Sequence, residues 1–189
     1  GPNKWIMVNE FLQTSDPEIY AVGDAIAMAN PITGKTFLTY LAGPANKQGR
    51  IAADNIVLGN RRKYCGSINT AIAKIFDITV AAAGISVRVL EQEGIPHLTS
   101  IIHSSSHAGY YPDALPLTIK IAFSSEDGRL YGAQVVGFDG VDKRIEMLAH
   151  IIKHKETVHD LVELEHAYAP PFSSAKDPVN LAGMVAENI

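Results

Sequence analysis

Four short strings in this chain carry residue types whose spacing could bind or transform a ligand. The first, IYAVGDA (19–25), reads as a short buried strand over Ile19–Val22, closed by Gly23 and Asp24. A carboxylate at a strand's C-terminal edge can accept hydrogen bonds from a ligand hydroxyl, because crevices open at that edge in α/β sheets. The plain alternative is that Asp24 only forms a turn or caps a helix. The second string, LAGPANKQGR (41–50), opens a helix near Gly43-Pro44. Free N–H groups and about half a positive charge collect at such an end, which suits an anion or an electron-rich ring. Gly43 and Gly49 imitate a phosphate loop, but no Lys-Ser/Thr pair follows, so a triphosphatase fits poorly and an ordinary helix start competes.

The third string, HAYAPPFSSAKDPVN (166–180), has two consecutive prolines flanked by aromatics. Such a segment is stiff and extended, and presents Tyr168 and Phe172 at low entropic cost. The competing reading is a terminal arm that packs its aromatics on the core. The fourth, SHAGYYPDA (106–114), puts Tyr110 and Tyr111 on a Gly/Pro loop. A loop tyrosine can protonate a leaving thiolate, though it can also be a mere surface hydrogen bond. Two further features read as spectators. His150 and His154 have the i, i+4 spacing of a helical metal pair but no third ligand at motif spacing, so no metal is expected. Cys65 follows the charged connector Arg61-Arg62-Lys63 and has no His nearby in sequence.

The elements that must position these strings differ along the chain. Trp5–Val8 is a short apolar strand that needs partners, and Thr36–Leu41 can return as another after the turn residues NPITGK (30–35). The helix from Gly43 repeats Ala45, Ala52 and Ile56 at helical spacing and stops at Gly59. A domain boundary is expected near residues 60–66. Beyond it, residues 70–83 read as one long strand, Ser86–Glu93 as a short helix and Thr99–His103 as a strand. Leu115, Leu117, Ile119, Ile121 and Phe123 alternate cleanly, Asp127-Gly128 turns the chain, and Leu130–Gly137 returns as the hairpin partner. Val141, Ile145, Leu148 and Ile152 form the stripe of a helix, Val158–Leu164 is a short helix, and Asp177-Pro178 caps a last one. Antiparallel strands with helices grouped at the end predict an α+β layer domain.

Composition narrows the class. At 189 residues and 47% hydrophobic the chain is globular, with room for one domain and part of another. Its formal net charge of -4 lacks the basic surplus that nucleic acid demands. No apolar run approaches the roughly 18–20 residues of a membrane span, and the opening GPNKWIMVNEF does not read as a signal peptide. A single cysteine cannot form an internal disulfide, and the expectation is a reducing cytoplasm.

In their order, IYAVGDA, LAGPANKQGR, HAGYYPDA, GFDGVDKR and YAPPFSSAKDPVN make the chain resemble the C-terminal part of the pyridine nucleotide-disulfide oxidoreductases. The resemblance is to their coenzyme A-disulfide reductase and NADH oxidase branch. It implies that residues 1–62 close an FAD-binding α/β domain and that residues 66–189 form a dimerisation domain, an antiparallel sheet backed by helices. The family's GxGxxG loops and its N-terminal redox cysteine are not in these residues, so the chain is expected to be a piece of a longer enzyme, inactive and weak in FAD binding by itself.

The resemblance also implies roles. Asp24, with Gly23, would bind the ribityl chain of FAD, and Ala42, Pro44 and Ala45 would aim the helix end at the flavin, with Phe172 also at the cofactor. Asn46 and Arg50 would face the disulfide substrate, and Lys176 the phosphates of coenzyme A. Tyr168, with Tyr110 or Tyr111 nearby, would reach across a homodimer to the partner's flavin and cysteine. Electrons would run from NAD(P)H through FAD to a coenzyme A disulfide or polysulfide. Two alternatives stay open: an NADH oxidase or peroxidase of the same family, and a stand-alone homodimerisation module with no redox role.

Overall fold

A computed structural model describes residues 5–189, so the first four residues of the 1–62 segment and of its opening stretch lie outside the described residues. The chain divides between Asn69 and Thr70 into two compact units. In the first, β1 (Ile6–Met7) runs parallel to β2 (Ile26–Ala29), which pairs antiparallel with β3 (Thr36–Phe37). The helix α1 (Ala42–Leu58) ends at Gly59, whose φ of 73° is left-handed backbone that glycine adopts without penalty. Leu12, Ile26, Ile51, Ala52 and Tyr64 form this unit's core. Asn55 closes it with four hydrogen bonds. Its Nδ2 donates to Phe11 O and Arg62 O, and its Oδ1 accepts from the N–H groups of Arg61 and Arg62.

Three expectations are corrected here. Ile19–Val22 is not a buried strand: its one bridge is Tyr20 to Gln13, and Ile19 is 53% exposed. The backbone of residues 12–14 runs antiparallel to it for that one bridge only, with Thr14 N–H donating to Ile19 O and Ala21 N–H to Leu12 O, whereas Ile26–Ala29 pairs on both sides. The buried stripe of α1 is Gln48, Ile51, Ala52 and Asn55, which leaves Ile56 62% exposed. The strand expected over Thr36–Leu41 is also shorter, reduced to β3.

The second unit is α+β. Its antiparallel sheet has the order β4-β5-β8-β7-β6, from β4 (Ala71–Ile75), β5 (Ile78–Gly84), β6 (His97–Ser105), β7 (Pro116–Ser124) and β8 (Leu130–Gly137). After α2 (Val87–Gln92), capped by the Ser86 side chain, the remaining helices follow the sheet: α3 (Val141–His154), α4 (Val158–Glu163) and α5 (Pro178–Ala186). α3 packs on β5 and β8, and α5 on β6 and β7. The expected stripe of α3, Val141, Ile145, Leu148 and Ile152, is fully buried, as are Ile119, Ile121 and Val135 of the sheet. Each such side chain contributes about 1.5–3 kcal/mol by leaving water.

Residues 70–83, read as one strand, are a two-strand hairpin in which Ile75 faces Ile78. Phe76 makes the reversal in left-handed backbone, at φ 54°, with no glycine or asparagine to announce it. No helix among the described residues is long and apolar enough to cross a membrane.

The start of α4 is held by one carboxylate. Asp160 accepts from both the N–H and the hydroxyl of Thr157, each at 2.7 Å, and those bonds hold its pKa below the usual carboxylate range. Asp160→Ala is expected to lower stability by about 1 kcal/mol, seen as a lower urea midpoint with an unchanged slope.

Candidate functional site

The third and fourth strings meet in the second unit. The hydroxyls of Tyr110 and Tyr168 lie 2.7 Å apart although the residues are 58 positions apart in sequence. Both side chains are exposed, at 77% and 47%. Their hydrogen bond raises the pKa of the Tyr110 phenol above its ordinary value, because it favours the protonated form. With Tyr110 donating, the O–H of Tyr168 is free to point outward as a polarised donor. Tyr111 has a different job: its ring packs edge-on against His107, with centroids 5.8 Å apart.

The Tyr110 loop is wired internally. His107 Nε2 lies 3.0 Å from Pro112 O, and a carbonyl can only accept, so Nε2 carries the proton. In the neutral ring Nδ1 then accepts from the Ser106 hydroxyl, 3.0 Å away, which itself accepts the N–H of Leu115. The loop is joined to the arm that carries Tyr168 through Ala108, whose N–H donates to both Ser173 O and Pro170 O. Phe172 stands exposed on that arm, and its carbonyl accepts from Lys143 Nζ. Lys176 is exposed near the arm's end, with its carbonyl accepting from Ser174.

Beneath the arm sits a group that sequence reasoning missed. Arg144 is fully buried, and its guanidinium donates to Asp177 Oδ2 at 2.8 Å, to Ser106 O at 2.8 Å and to Gly140 O at 3.0 Å. Asp177 also accepts from the Ser173 hydroxyl and the Val179 N–H, so it caps α5 as expected. Burial alone would raise the Asp177 pKa, but the bonds from Arg144 and Ser173 outweigh it and leave the carboxyl below its ordinary range. His166, two residues before Tyr168, keeps a buried Nε2 without a hydrogen-bond partner, and burial lowers its pKa.

In the first unit the other two strings also meet. Gly23 and Asp24 open a 3-10 turn (Gly23–Ala25) against the start of α1. Gly23 has φ 74°, and a Cβ placed on it would lie 3.8 Å from that of Ala45. Its N–H donates to Gln48 Oε1 at 2.7 Å, a buried partner not anticipated. Asp24 is exposed, and α1 begins with neither a side-chain cap nor an acidic residue in its first turn. Ala42 and Gly43 are exposed, with open space beside Gly43, and Pro44 and Ala45 are half-buried behind them. Asn46 and Arg50 follow one turn apart on the exposed face of α1. An uncapped helix end beside an exposed carboxylate fits an electron-rich ring with a hydroxylated chain.

The remaining candidates are the histidine pair and the cysteine. His150 and His154 stack with centroids 4.3 Å apart, and no group of three metal-binding side chains occurs among the described residues. Cys65 is exposed in the connector.

Comparison with known proteins adds relatives. The family model "Pyridine nucleotide-disulphide oxidoreductase, dimerisation domain" matches residues 70–178. An NADH oxidase of Methanocaldococcus jannaschii is 36% identical over 94% of this chain and 39% of its own length. A coenzyme A disulfide reductase of Staphylococcus epidermidis is 35% identical over 97% of this chain and 41% of its own length. The crystal structure of reduced Bacillus anthracis CoADR-RHD superposes on all of this chain and on 34% of its own, with a TM-score of 0.95 and 48% identity. The chain thus spans well under half the length of the relatives it matches.

Proposed function

Because the chain belongs to the pyridine nucleotide-disulphide oxidoreductases, whose dimerisation domain it carries, we propose that the full-length protein is a homodimeric, FAD-dependent NAD(P)H:disulfide oxidoreductase of the cytoplasm. Its substrate in this reading is coenzyme A disulfide or a related persulfide or polysulfide. The observation that carries the reading is the 2.7 Å contact between the exposed phenols of Tyr110 and Tyr168. Breaking a sulfur–sulfur bond releases a thiolate, and a pair of linked phenols suits that leaving group.

Bound FAD would supply the two-electron carrier between the nicotinamide and the redox cysteine. Asp24 and Gly23 would hold its ribityl chain, and the uncapped start of α1, at Ala42, Pro44 and Ala45, would face its electron-rich edge. A helix end of this kind stabilises nearby negative charge by about 0.3–2 kcal/mol. Asn46 and Arg50 would approach the disulfide. Lys176, a mobile point charge, would meet the phosphates of coenzyme A.

Tyr168 would donate its hydrogen to the departing sulfur of the partner subunit's site, with Tyr110 polarising it from behind. A thiol has a reference pKa near about 8.5 and a phenol near about 10, so complete transfer is uphill by about 2 kcal/mol. The phenol therefore acts mainly as a strong hydrogen-bond donor in the transition state.

Anaerobic NAD(P)H oxidation by the full-length protein tests this. The expected result is one nicotinamide oxidised per coenzyme A disulfide or polysulfide bond, with thiol as product. Oxidation that runs with oxygen alone would favour the NADH oxidase reading, which the Methanocaldococcus relative supports. A full-length protein that never oxidises NAD(P)H would favour the dimerisation module.

A further inference from the structure

We propose that the buried Arg144–Asp177 pair is a positioning element that sets the Tyr110 loop and the Tyr168 arm in the register that joins their phenol oxygens. The inference rests on the function proposed above. Tyr110 and Tyr168 are exposed, so burial does not fix where their hydroxyls lie. Their register has to come from whatever ties the two backbones together, and one guanidinium ties both. It donates to Ser106 O, where the Tyr110 loop starts, and to Asp177, where the Tyr168 arm ends. A third bond, to Gly140 O, anchors it on the start of α3.

The bonds from Ala108 to Ser173 O and Pro170 O and from Ser173 to Asp177 extend the same bracket along the arm. A buried ion pair is a poor choice for stability alone, because apolar residues of like volume fill such a space as well or better. What the pair adds is three fixed directions that an apolar side chain lacks. The rigid, forked guanidinium supplies them where an ammonium would not.

The test uses the full-length homodimer with Arg144→Met and Asp177→Asn combined, which removes both charges while asparagine keeps the cap of α5. The expected variant melts near wild type, retains FAD and is reduced by NAD(P)H at the normal rate. Its turnover with coenzyme A disulfide falls by about 10–100-fold, the scale of a misplacement near 1 Å. That loss disappears in a Tyr168→Phe background, because there is no longer a phenol to misplace. NMR of ring-labelled tyrosine shows Tyr110 titrating at an ordinary phenol value in the folded variant.

A folded, flavin-loaded double variant with wild-type turnover overturns the proposal, as does a loss that simply multiplies with that of Tyr168→Phe. Should Tyr168→Phe itself turn over normally, the functional reading fails, and the tyrosine titration alone then judges the positioning role: an unmoved Tyr110 signal overturns it. If the double variant does not fold, Ser173→Ala gives the same decision. It keeps the ion pair, is expected to lose turnover a few-fold and to shift Tyr110, and no change in either measurement sinks the idea.

Discussion

Tyr168→Phe is expected to slow coenzyme A disulfide reduction by the full-length protein by about a hundredfold, the low end of what a positioned acid contributes. The hydroxyl is the one atom lost. Its contact with Tyr110, at 2.7 Å, is the geometry on which the role rests. Reduction of the flavin by NAD(P)H, followed by its bleaching in stopped flow, should keep its rate, because the phenol serves the sulfur step. Tyr110→Phe should cost less, about tenfold, since it removes a polarising partner and leaves the donor. The two changes together should be no worse than Tyr168→Phe alone, as for residues that act as a unit. Steady-state turnover that survives Tyr168→Phe would remove tyrosine from the mechanism.

Arg144→Ala is expected to destabilise the second unit by about 3–5 kcal/mol, the usual cost of leaving one member of a buried pair uncompensated. For a unit of this size the midpoint of thermal unfolding should drop by more than about 10 °C. Acid gives the sign. The folded carboxyl of Asp177 has a lowered pKa, so its stabilisation is complete above the unfolded value of about 3.9 and drains away as pH falls below it. In Arg144→Ala the buried carboxyl has lost its cation, its pKa rises, and protonation relieves it. The gap in stability between wild type and variant should therefore narrow as pH falls, first above about pH 4, where the variant's raised carboxyl takes up its proton, and then below it, where the wild type loses its own stabilisation. A gap that is constant from pH 7 to pH 3 would mean that the pair is not what Arg144 contributes.

What could be read from the sequence followed from pattern strength. The β7–β8 hairpin declares itself through alternation at Leu117, Ile119 and Ile121 and through Asp127-Gly128, and α3 through a stripe that packing then uses in full. The β4–β5 reversal is hidden because Phe76 takes left-handed backbone without a residue that prefers it. Ile19–Val22 misleads because apolar composition does not say how far a neighbouring backbone runs alongside, and here the pairing with residues 12–14 stops at one bridge. For the site, the tyrosines and the helix start lie in strings whose chemistry is visible. Arg144 does not: a charged residue beside the stripe residue Ile145 reads as solvent-facing, and only the return of Asp177 from 33 positions away buries it. Gln48 is hidden in the same way, a polar residue whose partner, the Gly23 N–H, is 25 positions off.

Gly140 carries a consequence for how this chain can change. It sits at φ 67°, and a Cβ there would come 2.1 Å from Arg144 Nη1, a group pinned by its other bonds and unable to swing aside. Codons 140 and 144 are therefore epistatic. In a library randomised at both, substitutions at 140 should survive mainly in clones that have also surrendered the arginine, and selection for catalysis should discard those clones in turn.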